Sequence, residues 1–195
     1  MATAFTQRER EHIYESLQDA AMRCAATVGM KHATVDELAH EAGISKGAFY
    51  RFYESKEHLF LSMLERIHNE MYGSAERVLK ERTDLPVRER TALAVREVCR
   101  VAEKHGAITF IREEVPLLLR RLPEKLLSEH YKSDEDRIRA LVLKSNVRLS
   151  TSLETACAVI RMLLMTLLVK GDVGESYDEA MRLMVEGACD RLIGK

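Results

Sequence analysis

Apolar residues recur every three to four positions along almost the whole chain, between clear stops, and this restricts it to a helical fold. Thr6 and Glu9 form a T-x-x-E pattern in which each side chain can satisfy the other's free backbone N–H at a helix start. Ile13, Leu17, Ala20, Ala21, Cys24 and Val28 then share one face of a helix of period 3.6, and Gly29 ends it. Thr34 and Glu37 repeat the capping pattern ahead of a short helix carrying Val35, Leu38, Ala39 and Ala42. Gly43 interrupts the pattern. Ser45 caps a second short helix reaching to about Phe52, and Ser55 caps a long one with Leu59, Phe60, Met63, Leu64, Ile67 and Met71 on its apolar stripe.

The same alternation of stripe and stop continues to the end. Pro86 opens a helix that stops at His105 and Gly106, a shorter one covers Ala107 to Glu114, and Pro116 and Pro123 mark two further starts. A long segment to Ser145 follows, then helices over Thr151 to Lys170 and Tyr177 to Ile193, joined by a Gly171-Asp172-Val173-Gly174 linker. Only three prolines and nine glycines punctuate 195 residues, and no segment reads as a strand. The expected fold is all-α with about nine helices, a three-helix N-terminal domain over residues 6–66 and a helical C-terminal domain over 67–195.

Charge excludes one simple route to nucleic acid. The net charge is −1, and residues 1–60 hold seven Lys or Arg against nine Asp or Glu, so DNA binding would need a local patch, not a global field. The four cysteines, Cys24, Cys99, Cys157 and Cys189, are far apart and form no C-x-x-C pair. The histidines form no ligand-spaced cluster with them, so buried reduced thiols are expected, with no metal and no cofactor. The start of the chain has no apolar signal segment. The apolar run from Ala156 to Val169 is interrupted by Arg161 and Thr166 and falls short of the ~20 residues of a membrane span. A soluble cytoplasmic protein with no membrane partner is expected.

The stretch TVDELAHEAGISKGAFYRFY, residues 34–53, carries the most specific chemistry. Ala39 and Ala42 are small enough to let two helices cross closely, Gly43 tolerates a positive φ, and Ile44 and Phe49 point inward. That leaves Ser45, Lys46, Gly47, Ala48 and Tyr50 facing out. Thr34 and Ser45 sit at helix starts, where free N–H groups and a partial positive charge favour phosphate. Lys46 can reach a base edge or a phosphate. Gly47 and Ala48 let a helix lie deep in the major groove, while Tyr50 and Lys56 can donate to phosphates on either side. Small, cationic and hydroxyl residues on one short helix favour a DNA reader over a plain helical hairpin.

From about Arg8 to Glu65 the sequence resembles the DNA-binding domain of the TetR family of bacterial transcription regulators. The residues that carry the likeness are Thr34, Leu38, Ala39, Ala42, Gly43, Ile44, Ser45, Gly47, Phe49, Tyr50, Tyr53, Ser55, Lys56 and Leu59. One departure is Phe52, which cannot donate to a phosphate, with Tyr53 in the usual core position. The resemblance implies a repressor that binds double-stranded operator DNA as a homodimer and releases it on binding a small-molecule effector. It also implies that the last two helices form a four-helix dimer interface.

For the effector pocket, His105, Phe110, Arg112, Tyr131 and Arg161 are the polar and aromatic candidates. No nucleophile elbow, phosphate loop or coupled acid–base set supports an enzyme; the adjacent Glu113 and Glu114 point to different sides of a helix. A helical adaptor using the helix-turn-helix for protein contacts is the remaining alternative, favoured by the acidic N-terminal third.

Overall fold

The computed structural model describes residues 5–104 and 107–194. Among them, nine α-helices run five residues or more: α1 (Gln7–Thr27), α2 (Val35–Glu41), α4 (Lys56–Glu81), α5 (Val87–Lys104), α6 (Ala107–Glu113), α7 (Val115–Leu119), α8 (Glu124–Lys144), α9 (Leu153–Met165) and α11 (Tyr177–Leu192). Two four-residue helices complete the set, α3 (Lys46–Phe49) and α10 (Lys170–Val173). No strand forms among the described residues beyond an isolated bridge between Leu149 and Ile193. The fold is all-α. No helix among them is long and apolar enough to cross a membrane.

The local signals act where the sequence puts them. Glu9 accepts the Thr6 N–H at 2.7 Å while Thr6 Oγ1 accepts the Glu9 N–H at 3.3 Å, and Thr34 and Glu37 do the same at 2.9 and 3.2 Å. Gly29 follows α1 with φ +81°, and its N–H donates to Cys24 O at 2.9 Å. Two junctions differ from expectation. The α3 helix stops at Phe49, and the chain closes through tight turns in which the Phe52 and Tyr53 N–H groups both donate to Phe49 O. The presumed glycine linker is itself helical from Lys170 to Val173, and only Gly174, at φ +72°, breaks the run.

The chain forms two compact units. One comprises Met1–Ile67 with Thr109–Pro123, and the other His68–Ile108 with Glu124–Lys195. In the first, Leu17, Leu38, Phe49, Leu59, Phe60, Met63 and Leu64 are essentially buried. Residues 109–123, assigned by sequence to the C-terminal domain, pack here: Phe110 is buried and stacks on Phe60 at 5.8 Å, and Glu114 Oε2 accepts the Met30 N–H at 2.6 Å. A Cβ on Gly29 would stand 2.3 Å from Glu114 Oε1, so the Glu114 side chain would have to shift to admit one.

In the second unit α11 packs on α5 and α9, and α9 packs on α8. Tyr72, Ile138, Val142 and Cys157 form a core cluster there. Arg88 ties the end of the chain in place by donating to Ile193 O at 2.7 Å. All four cysteines are free thiols, with Cys99, Cys157 and Cys189 buried. Burial pushes the Cys99 thiol up to about 12 and Cys189 up to about 11, so neither holds a thiolate at neutral pH.

Candidate nucleic-acid interface

Helices α2 and α3 form the helix-turn-helix, and Gly43 makes the turn at φ +72°. A left-handed backbone costs a non-glycine residue about 1–2 kcal/mol, which is why glycine stands there. The Ile44 N–H donates back to Ala39 O at 2.9 Å, which closes α2. Ser45 then starts α3, its Oγ accepting the Ala48 N–H at 3.2 Å.

Behind α3 an aromatic cluster fixes its pose. Phe49 is fully buried, with Tyr53 6.0 Å away; Tyr14 of α1 meets Phe52 edge-on at 5.0 Å and Tyr53 at 5.6 Å. Arg10 lies over the Phe52 ring at 5.2 Å. Phe52 is thus a packing residue, consistent with its inability to donate to a phosphate. Tyr53 fills the core, and its hydroxyl donates to Ser62 Oγ at 3.1 Å. Burial raises the pKa of that phenol.

On the other side Ser45, Lys46, Gly47 and Tyr50 are exposed and Ala48 is half-buried. Gly47 is informative because a Cβ built on it meets nothing within 4 Å. Its φ is not in the left-handed region, so neither backbone nor packing requires a glycine there.

Two of the expected DNA-contacting cations are engaged. Lys46 Nζ pairs with Asp36 Oδ2 at 2.6 Å, a partner the sequence reading missed, and the hydrogen bond to this carboxylate raises the lysine pKa. Both side chains are more than half exposed, so solvent screens the pair and it yields readily to a stronger anion. Lys56 is different. Its ammonium donates to Ala33 O at 2.7 Å, Met30 O at 3.0 Å and Lys31 O at 3.4 Å, which uses its three protons on the turn before α2. Lys56 is thus placed to hold that turn, a role its position in the sequence did not announce. Thr34 Oγ1 likewise donates to Glu37 at 2.7 Å.

Of the expected effector residues, Phe110 and Arg112 fall in the first unit and Tyr131 and Arg161 in the second. His105 lies outside the described residues, and Phe110 belongs to the core of the first unit. Arg112 pairs with Glu113 at 2.8 Å, Tyr131 is exposed, and Arg161 is an exposed residue 3.9 Å from Glu135. The second unit instead contains an apolar cavity between Leu79, Val95, Val142, Ile160, Leu163 and Cys189, among others. Its hydroxyls turn to their own backbone: Thr91 donates to Val87 O at 2.8 Å and Ser145 to Val142 O at 2.6 Å. Hydrophobic periodicity does not separate a residue that lines a cavity from one that fills a core.

Residues 17–63 match the family model described as bacterial regulatory proteins, tetR family. The nucleoid occlusion factor SlmA of Escherichia coli (strain K12 / DH10B) is 30% identical over 80 residues, covering 41% of this chain and 40% of that protein. The chain therefore spans about two fifths of the length of the curated relatives it matches. Over nearly the full length it has the fold of FadR from Bacillus subtilis, solved in complex with stearoyl-CoA, with TM-score 0.65, 18% identity and coverage of 91% of this chain and 96% of that one. A tetR-family regulator from Mesorhizobium loti MAFF303099 superposes with TM-score 0.68 at 13% identity, covering 95% and 96%.

Proposed function

Starting from a chain that belongs to the tetR family of bacterial regulatory proteins, we propose that it is a ligand-responsive transcriptional repressor. It binds a near-palindromic operator as a dimer, with α3 in the major groove, and a small apolar molecule releases it. The observation that carries this reading is the exposed face formed by Ser45, Lys46, Gly47 and Tyr50, with open space beside Gly47. The test is binding to promoter DNA of neighbouring genes by the Lys46→Ala and Tyr50→Ala variants. Loss of binding with an intact fold is expected; unchanged affinity would leave an adaptor role for the motif.

Dimerisation is supported by apolar surface on two helices. Met162 on α9 and Leu183 on α11 are 69% and 56% exposed, and Met165 and Met184 also face solvent. One recognition helix reads too few base pairs for useful specificity, so pairing two copies through these helices would supply the second half-site.

The cavity supports an apolar effector, since it offers no free hydroxyl donor to a polar one. FadR of Bacillus subtilis was solved with stearoyl-CoA, and an acyl chain is the ligand class we propose to try first here. A ligand that favours the DNA-free arrangement must in turn bind less well when operator is present.

The Asp36–Lys46 pair gives a further expectation. Asp36→Asn frees the lysine and removes a negative charge beside the proposed phosphate path. Operator affinity should rise by roughly 3–10-fold at low salt, with the gain shrinking as salt increases, because the charges are exposed and screened. Fluorescence anisotropy across a salt series reads both effects.

A further inference from the structure

Two nearly buried histidines face each other in the second unit, and nothing in DNA or effector binding uses them. His68 of α4 and His130 of α8 are 9% and 7% exposed. Their rings lie 5.5 Å apart, 23° from parallel, and a ring nitrogen of each lies within 4.8 Å of the other. Asp134, one turn beyond His130 on α8, brings Oδ1 to 2.9 Å from His68 Nδ1. That contact is short, but it is not aligned as a hydrogen bond, so a ring nitrogen nine-tenths buried lacks a well-directed partner. Arg137 approaches the same carboxylate oxygen at 3.7 Å and donates to Asn69 at 3.0 Å, so Asp134 is held from both helices.

We propose that His68 and His130 are ligands of a divalent transition-metal ion of the zinc class, with Asp134 fixing the His68 ring. Two imidazoles bound to one tetrahedral ion, with metal–nitrogen bonds of about 2.0–2.1 Å, hold their ring centres roughly 5.3 Å apart. The observed 5.5 Å is already near that separation. With Nδ1 facing the Asp134 carboxylate at 2.9 Å, Nε2 is the nitrogen left for the metal, and a carboxylate beside the second ring nitrogen is a common setting of metal-binding histidines. Neutral imidazole suits zinc, copper, nickel and cobalt, and does not suit magnesium or calcium. Water or another ligand fills the rest of the shell. Tyr72, 6.2 Å from His68, closes one side with its ring.

The experiment is titration of the full chain with Co2+, followed by visible absorption and thermal melting. One ion per protomer is expected, with d–d bands of nitrogen and oxygen coordination and a raised Tm. His68→Ala and His130→Ala should each weaken binding by roughly 100-fold, and Asp134→Asn by roughly 10–100-fold, as outer carboxylates typically do. If the variants do not fold, X-ray absorption of the cobalt-loaded wild-type protein decides the matter: scattering from two imidazoles is expected. No bound ion, unchanged affinity in the folded variants, or sulfur in the coordination shell would overturn the proposal and leave the cluster a packed polar contact.

Discussion

Gly47→Leu should abolish specific operator binding while leaving the fold intact. A side chain at this position points into open space, since a Cβ meets nothing within 4 Å. Leucine is also a better helix former than glycine by up to about 1 kcal/mol, so Tm should hold or rise slightly. On DNA the same side chain would stand between α3 and the base edges, forcing the helix out of the groove. A loss of at least about 100-fold, or about 2.7 kcal/mol, is expected by fluorescence anisotropy. Gly43→Ala provides the contrast. There φ is +72°, so the change strains the turn and lowers Tm whatever its effect on DNA. Two glycines four residues apart thus separate a requirement of the chain from a requirement of its partner.

Lys56→Met should destabilise the DNA-binding unit by about 2 kcal/mol, because it removes charged hydrogen bonds to carbonyls while keeping the apolar stem. In a chain of this size, that corresponds to a Tm roughly 4–8 °C lower, measured by calorimetry. The salt dependence of operator binding should not change. Were Lys56 a phosphate contact, the slope of log K against log salt would fall by about 0.9 and Tm would be unaffected. The two roles give opposite pairs of results. Because Met30, Lys31 and Ala33 form the turn before α2, the variant also tests whether Lys56 sets the start of the helix-turn-helix.

What was legible in the sequence was what acts locally. Thr6 with Glu9, Thr34 with Glu37, and Ser45 mark helix starts because the capping bonds span only three residues. Gly29 and Gly43 mark stops because only glycine takes their backbone conformation cheaply. The outward face of α3 followed from the burial of Phe49 on its other side. What was not legible depends on distant partners. Lys56 finds carbonyls more than twenty residues away, and Glu114 reaches Met30 across 84 positions. Phe110 reads as a pocket residue by sequence because an aromatic in a mid-chain helix looks the same whether it meets a ligand or Phe60. Arg161 and Tyr131 share a helical pattern with core residues, yet their side chains face outward. The apolar cavity was invisible for a related reason: a residue lining a void and one filling it have the same hydrophobic spacing. The His68–His130 cluster joins two helices distant in sequence, so no ligand spacing announced it.

The proposed function requires that paired copies of α3 read operator DNA. Sedimentation velocity of the full chain with a labelled duplex carrying the upstream region of its neighbouring genes tests it directly. The expected result is a saturable complex of two chains per duplex that survives excess competitor DNA and is lost in Gly47→Leu. A single bound chain, binding that competitor removes entirely, or a complex that Gly47→Leu leaves unchanged would contradict it.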